Sequence, residues 1–319
     1  MTVTVYQSTD ASAPSLTGQI GSLIAVLDAC LVNGYGSKSA AGWAKAYSGT
    51  NLAAYRAASG TRNYLRVDDT GTGAANYARF IGYETMSDVN TGTNPFPTNA
   101  QQSGGLYMFK SSTADATARA WMVVASPTMC YIFQGYNVVA ANGIAGSAGT
   151  QPSLVFGDII SYKSGDTNLG FICGSTAASY SGCNIGYAAT IAASWNNPGV
   201  VLQRSFTGSA GATPCNAGMD LGRTANSSTV GVTSASIAYP DPVTGGIILG
   251  RFMLYEAITN PVVRGHLPGI WIPYHNLAGN PGDTFNGSGN LAGRSFTFVD
   301  VGNGATRARV AVETSNTWD

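Results

Sequence analysis

The chain has 319 residues, of which 44% are hydrophobic and only 10% are charged, and its 16 basic and 16 acidic side chains give zero formal net charge. This length suffices for one large domain or two ordinary ones. The even balance offers no basic stripe for nucleic acid and no cationic surface for an anionic membrane, so we expect neither as a partner. A chain near zero net charge is prone to self-association, which favours a subunit of a permanent assembly; a glycine-rich monomer of low charge is the alternative.

Residues 15–36 predict an amphipathic helix near the N-terminus. Apolar residues recur there at steps of three and four, which places them on one helical face: Leu16, Ile20, Leu23, Leu27 and Leu31. Ser15 or Thr17 is the expected N-terminal cap, and Gly34 is the expected stop.

The remaining chain predicts β structure. Period-two alternation or short apolar runs indicate strands at residues 2–6, 42–47, 63–67, 77–86, 106–110, 120–124, 129–133, 154–162, 200–206, 247–258, 262–272, 295–301 and 307–313. We expect 120–124 and 129–133 to form a hairpin and 154–162 to be a central strand. Alternation in the last strand predicts that Arg307, Arg309 and Glu313 face solvent.

The turn-rich stretch at 90–97 is the candidate boundary between two parts of the chain. Residues 1–97 would then form a subdomain of helix and β-strands, and 98–319 the main β-rich domain, with one continuous domain as the alternative. Frequent turn signals favour a mainly β fold, sandwich-like or barrel-like, with one amphipathic N-terminal helix and α+β character at most.

Residue types that usually carry catalysis are sparse. Neither histidine, His266 or His275, has the spacing of a helical metal pair, and we expect a structural role for each. Carboxylates distant in sequence could still meet as a glycosidase pair, and the candidates are Asp158, Asp166, Glu256 and Asp283. We therefore predict no catalytic, cofactor-binding or metal-binding residue, no cofactor, and no enzymatic activity.

The five cysteines are Cys30, Cys130, Cys173, Cys183 and Cys215. Their odd number and the lack of a C-x-x-C pair argue against a closed disulfide framework or a zinc ribbon. Cys173 and Cys183 are the candidate pair for one bridge, which the sequence leaves open. Residues 1–10 lack the pattern of a signal peptide, and no apolar run is long enough for a membrane span.

Aromatic side chains are the remaining functional candidates, because they anchor interfaces and stack on sugars. We expect core packing for Trp43, Trp121 and Trp271. Trp318, close to the end of the sequence, is the first candidate for an anchor between subunits, and Trp271 and Tyr274 are further interface candidates.

Several stretches of the sequence are similar to a family of virion structural proteins from tailed bacteriophages. They are NGYG at 33–36, AGW at 41–43, GYETMSDVNTG at 82–92, VRGHLPGIW at 263–271, GDTFNG at 282–287 and ETSNTW at 313–318. The similarity spans most of the chain, and no known activity attaches to these stretches. It implies a virion component made in the host cytoplasm, whose partners are further copies of itself and other virion proteins.

The expected function is therefore a non-enzymatic building block of a phage particle, present in several symmetric copies. The tail, neck or baseplate is favoured over a capsid decoration or spike. A module that binds host-surface glycan through exposed aromatic side chains is the alternative outside this class. A polysaccharide-degrading tailspike is a third, but the β-helix repeat usual in such enzymes is not seen in the sequence.

Overall fold

The computed structural model describes residues 2–144, 153–176, 199–209, 211–218, 238–256, 262–275, 279–303 and 306–318. These residues are mainly β with a short N-terminal helix, which confirms the predicted fold class. The helical segments are α1 (Ser22–Leu27), a π-helix (Asp28–Asn33) and the 3-10 turns Ala140–Asn142 and Gly289–Leu291. The strands are β1 (Thr4–Gln7), β2 (Ala44–Gly49), β3 (Leu52–Arg56), β4 (Tyr64–Asp68), β5 (Tyr77–Asp88), β6 (Thr91–Phe96), β7 (Leu106–Phe109), β8 (Arg119–Ala125), β9 (Met129–Val139), β10 (Ser153–Asp158), β11 (Ile160–Ser161), β12 (Gly170–Cys173), β13 (Val200–Leu202), β14 (Thr213–Pro214), β15 (Asn216–Gly218), β16 (Leu249–Glu256), β17 (Val262–Pro273), β18 (Thr284–Asn286), β19 (Ser295–Asn303) and β20 (Thr306–Glu313).

Antiparallel pairing joins the described strands into three sheets. The N-terminal sheet has the order β2-β3-β4-β5-β6, with β7 also paired to β5. The central sheet has the order β1-β8-β9-β10-β12-β13-β14, and the C-terminal sheet β15-β16-β17-β20-β19-β18, with β11 on β17. One hydrophobic core lies between the central sheet and the N-terminal sheet with its helix, and a second lies between the central and C-terminal sheets. The result is a stack of three β layers.

The central sheet is buried on both faces, which explains its unbroken apolar runs. In β8, Trp121 and Val123 point into the first core, whereas Met122 and Val124 point into the second. Strand β10 lies between β9 and β12, as expected for the centre of a sheet. A strand with two apolar faces needs no polar alternation, and this is the pattern seen at 154–162.

The helical segment begins later than predicted. Leu16 forms a bridge with Arg119, whose N–H donates to the Leu16 carbonyl at 2.7 Å, so the chain is extended where the helix was expected to start. The N-cap is Gly21 with φ of +81°, and the predicted caps at Ser15 and Thr17 are wrong. Gly34 ends the π-helix with φ of +76°, close to the predicted stop.

A side chain distant in sequence supplies the cap. The Asp69 carboxylate, just after β4, accepts a hydrogen bond from the Leu23 N–H at 2.9 Å and forms an ion pair with Lys110. Leu23, Leu27 and Leu31 lie in the first core as predicted. Ile20 was placed on the same face but is 48% exposed, because it precedes the helix.

The stretch predicted as a boundary at 90–97 contains a strand. Strand β6 pairs with β5, with Phe96 opposite Gly82, and Phe96 is fully buried. Strand β3 was also missed, because its two central alanines weaken the alternation. Strand β1 belongs to the central sheet and β7 to the N-terminal sheet, so strands from either side of residue 97 lie in both. The division into two domains stays a prediction.

Candidate contact surface

Trp318, the first candidate for an anchor between subunits, lies within its own chain. Its side chain is 5% exposed, and its ring packs edge-on against Tyr131 with centroids 5.5 Å apart. The indole N–H donates to the Glu313 carbonyl at 2.9 Å. Gly269, with φ of +72°, lies against the ring, where a Cβ atom would overlap the indole. The described contacts of Trp318 are intramolecular, and its role between subunits stays a prediction.

Trp271 lies on the outer face of the C-terminal sheet, in an aromatic cluster of Trp271, Phe285, Phe296 and Phe298. Its ring is 5% exposed, as expected for core packing, and the Arg251 guanidinium lies 4.1 Å from the ring centroid. The half-exposed guanidinium covers the tryptophan from the solvent side. Arginine next to tryptophan is typical of the centres of protein interfaces.

Glu313 is buried on the same outer face, so its predicted exposure is wrong. Its carboxylate accepts the Trp271 indole N–H at 3.0 Å and pairs with Arg294 at 3.2 Å. Arg309 similarly pairs with buried Asp300 at 2.7 Å. These partners all precede the strand by six residues or more, and alternation within β20 does not reveal them.

Tyr274 follows β17 and adjoins a projecting segment, residues 238–248, which we name the contact loop. Its N–H donates to the Ile248 carbonyl at 3.0 Å, and its half-buried ring lies over Gly250. The contact loop exposes three large apolar side chains: Val243 at 92%, Tyr239 at 52% and Ile248 at 40%. Such a concentration of exposed apolar groups on one short loop is typical of an interaction surface.

Backbone hydrogen bonds to Asp241 hold the contact loop in shape. Its Oδ1 accepts the N–H groups of Thr244 at 2.7 Å and Val243 at 3.1 Å, and its carbonyl accepts Gly245 N–H at 2.7 Å. The bond from Thr244 is the main cause that lowers the pKa of the Asp241 carboxyl below its ordinary value. The loop is therefore a closed Asx turn that presents Val243 in a fixed position.

His275 binds both ends of the contact loop. Its Nε2 accepts the Ile248 N–H at 2.9 Å, and its Nδ1 lies 2.7 Å from the Ala238 carbonyl oxygen. The other histidine, His266, lies in β17 opposite Ile160 and is 5% exposed. Both occupy buried positions within the C-terminal sheet or beside it.

The candidate glycosidase carboxylates fall into three separate places. Asp166 and Glu256 meet at Arg264, each at 2.7 Å from the guanidinium, and all three side chains are about 1% exposed. Asp158 accepts the Thr61 N–H at 2.7 Å, and burial raises the pKa of its carboxyl. Asp283 accepts the Asn280 N–H at 2.7 Å. The one pair that meets shares a single arginine and is closed to solvent, so it forms a structural ion triad.

Thiols and metals add no further site among the described residues. Cys30, Cys130 and Cys215 are buried, and burial raises the pKa of the Cys130 thiol to about 12. Cys183, and with it the candidate bridge to Cys173, lies outside the described residues. Within the described ranges, no three His, Cys, Asp or Glu residues are grouped as metal ligands, and no helix is long and apolar enough to cross a membrane.

The sequence matches no protein-family model and no curated protein. The resemblance to phage virion proteins stays a prediction that depends on the short stretches of sequence named above.

Proposed function

We propose that the chain is a non-enzymatic structural subunit of a tailed-phage virion, present in several symmetric copies in the tail, neck or baseplate. The sequence similarity to phage virion proteins supports a place in the virion. The distribution of charge in the structure supports assembly in several copies, and it is the observation that carries the proposal.

Many of the few charged side chains are paired inside the chain. The fully buried pair Lys110–Asp69 and the Arg264 triad lie out of contact with solvent. Further pairs are buried or half-buried: Arg294–Glu313, Arg309–Asp300 and Arg204–Glu84. In the part of the chain that the structure describes, the solvent-facing surface is therefore even poorer in unpaired charge than the 10% of charged residues indicates. A surface with so little charge favours association over dispersal as monomers.

The proposed mechanism is geometric. The three-layer stack acts as a rigid body, and the contact loop with the Arg251–Trp271 face provides pre-formed surfaces for a neighbour. Interface cores are depleted of charge and enriched in arginine and aromatic side chains, which matches this region. Contacts between two different patches of identical subunits close into rings when the rotation allows it.

The mass of the purified chain in solution tests assembly. We expect sedimentation velocity to give a closed oligomer of fixed copy number over a wide range of concentrations. A Val243→Asp variant should dissociate this oligomer, because it places a charge at the most exposed apolar position of the contact loop. Val139→Asp is the matched control, since Val139 is 45% exposed at the end of β9 in another sheet. A monomer at every concentration contradicts the proposal.

Position in the particle is a separate test. Gold-labelled antibodies against the purified chain should mark the tail, neck or baseplate of intact virions in electron micrographs. Labelling of the head would support the capsid decoration or spike instead, and the absence of label and of the chain from purified particles would refute a virion role. Specific binding on an array of host polysaccharides, or release of reducing ends from them, would favour the glycan-binding or enzymatic alternatives.

A further inference from the structure

The protonation state of His275 is fixed by two backbone groups. Its ring is 2% exposed, and the Ile248 N–H points at Nε2. A backbone N–H can only donate, so Nε2 carries no hydrogen; the Ala238 carbonyl can only accept, so Nδ1 carries it. The ring is therefore the neutral Nδ1–H tautomer.

The two groups that His275 binds are the two ends of the contact loop. Ala238 begins the loop, and Ile248 ends it immediately before β16. His275 itself lies two residues after β17, the strand paired with β16. The ring thus joins both ends of the loop to the segment that follows β17.

We propose that His275 is an acid-sensitive clamp, which holds the contact loop closed when neutral and releases it when protonated. A proton on Nε2 would face the Ile248 N–H, so two donors would oppose each other and the hydrogen bond would be lost. A buried cation and an unsatisfied backbone donor would remain. When the loop moves away from the ring, water reaches His275 and solvates both the cation and the Ile248 N–H.

Two side chains of the contact loop face the ring. The Tyr239 ring lies edge-on to it, with centroids 6.1 Å apart. The Asp241 carboxylate interacts electrostatically with the ring, and its pKa lies below the ordinary value, so it stays negative in mild acid. Because Asp241 belongs to the loop, its attraction for an imidazolium opposes release, and the proposal requires the loss of the Ile248 hydrogen bond to outweigh it. On the β16 side, the ring meets the Ile248 backbone.

The sign of the pH dependence follows from the proton count. The closed loop binds one proton fewer at His275 than the open loop, so acid favours the open loop. A solvated imidazole takes up its proton at about pH 6.5, and the ratio of open to closed loop should rise up to about tenfold per pH unit below that value.

The tautomer is the first test. Long-range proton–nitrogen NMR spectra of the ¹⁵N-histidine-labelled chain contain signals from two rings only. A His266→Gln variant removes one ring and assigns the other to His275. We expect the neutral Nδ1–H tautomer at pH 7.5, and an Nε2–H tautomer or an imidazolium ion at that pH would overturn the proposal.

Loop opening is the second test. Hydrogen exchange at the amides of Val243, Thr244 and Ile248, corrected for intrinsic rates, should accelerate up to about tenfold per unit below pH 6.5. His275→Gln should abolish the acceleration, because the carboxamide offers an acceptor and a donor but does not titrate. His266→Gln, the matched control, should keep it.

Two outcomes of the exchange experiment overturn the clamp. One is protection of the wild-type amides that does not change down to pH 5. The other is an acceleration that persists in His275→Gln, which would assign it to a different group. If that variant does not fold, His275→Asn replaces it, and the tautomer of His275 in the wild type still tests the proposal independently. Both tests use the purified chain without other virion proteins. Val243→Asp is run beside the wild type in the exchange test, because association through the contact loop would also protect its amides.

Discussion

Replacing Trp318 with alanine tests whether this side chain is part of the second core. The indole is 5% exposed, packs against Tyr131 and lies directly over Gly269. Truncating a buried tryptophan costs about 3–5 kcal/mol, because the transfer free energy is lost and a cavity remains. The hydrogen bond from the indole N–H to the Glu313 carbonyl accounts for about 1 kcal/mol of this.

Urea unfolding followed by circular dichroism measures the loss. We expect the free energy of unfolding of Trp318→Ala to fall by about 3–5 kcal/mol with an unchanged slope against urea. Trp318→Phe, which keeps an aromatic ring over Gly269 but removes the N–H, should lose only about 1–2 kcal/mol. The protein concentration is held constant, because association raises apparent stability.

Two results separate the competing roles of Trp318. An unchanged urea midpoint for Trp318→Ala refutes the intramolecular role described here. If the midpoint is unchanged while the oligomer dissociates, Trp318 is the anchor between subunits that the sequence predicted. As a further check, Gly269→Ala should destabilise the wild type more than it destabilises Trp318→Ala, because the variant has no indole for the new methyl group to clash with.

Two further predictions concern charged pairs. Lys110→Ala should lower the free energy of unfolding in urea by about 3–5 kcal/mol, because Asp69 remains as a buried carboxylate without its cation. Lys163→Ala, at an exposed lysine, should lower it by less than about 0.5 kcal/mol. Equal losses in the two variants would contradict this prediction. Hydrogen bonds from Arg204 are the main cause that lowers the pKa of Glu84 below its ordinary value of 4.5. The pair therefore stabilises the folded state fully above pH 4.5. This stabilisation is lost as the pH falls through the lower pKa of the folded state. In thermal melts from pH 7 to pH 3, Glu84→Gln should be less stable at neutral pH by about 1–2 kcal/mol and should lose less stability on acidification; a variant curve parallel to wild type would refute the pairing.

The local sequence pattern predicted those strands whose own residues form apolar or β-branched runs. The hairpin of β8 and β9 and the long strand β17 follow from runs of apolar and β-branched residues next to turn residues. The start of the helix was missed because its determinants are distant in sequence. Arg119 holds Leu16 extended, and Asp69 caps Leu23 from 46 residues away. A search for caps next to the helix does not find such partners.

The candidate contact surface was only partly predictable for the same reason. Trp318 looked accessible from its position, but it is covered by Tyr131 of the central sheet and Gly269 of the C-terminal sheet, both distant in sequence. Asp241 and Gly245 are typical turn residues, so a turn near 241–246 is visible in the sequence. That Val243 projects from this turn, and that His275 holds both ends, depends on the pairing of β16 with β17.

The three-layer fold changes what the low charge of the chain implies. A sheet buried on both faces needs two cores, and these use much of the 44% of hydrophobic residues without any partner subunit. Apolar composition therefore gives no support for assembly by itself. The pairing of charges inside the chain leaves fewer charges for the surface, and Val243 is an apolar side chain exposed on it; these two observations carry the proposal instead. For this reason Val243→Asp, which leaves both cores unchanged, separates assembly from ordinary core formation.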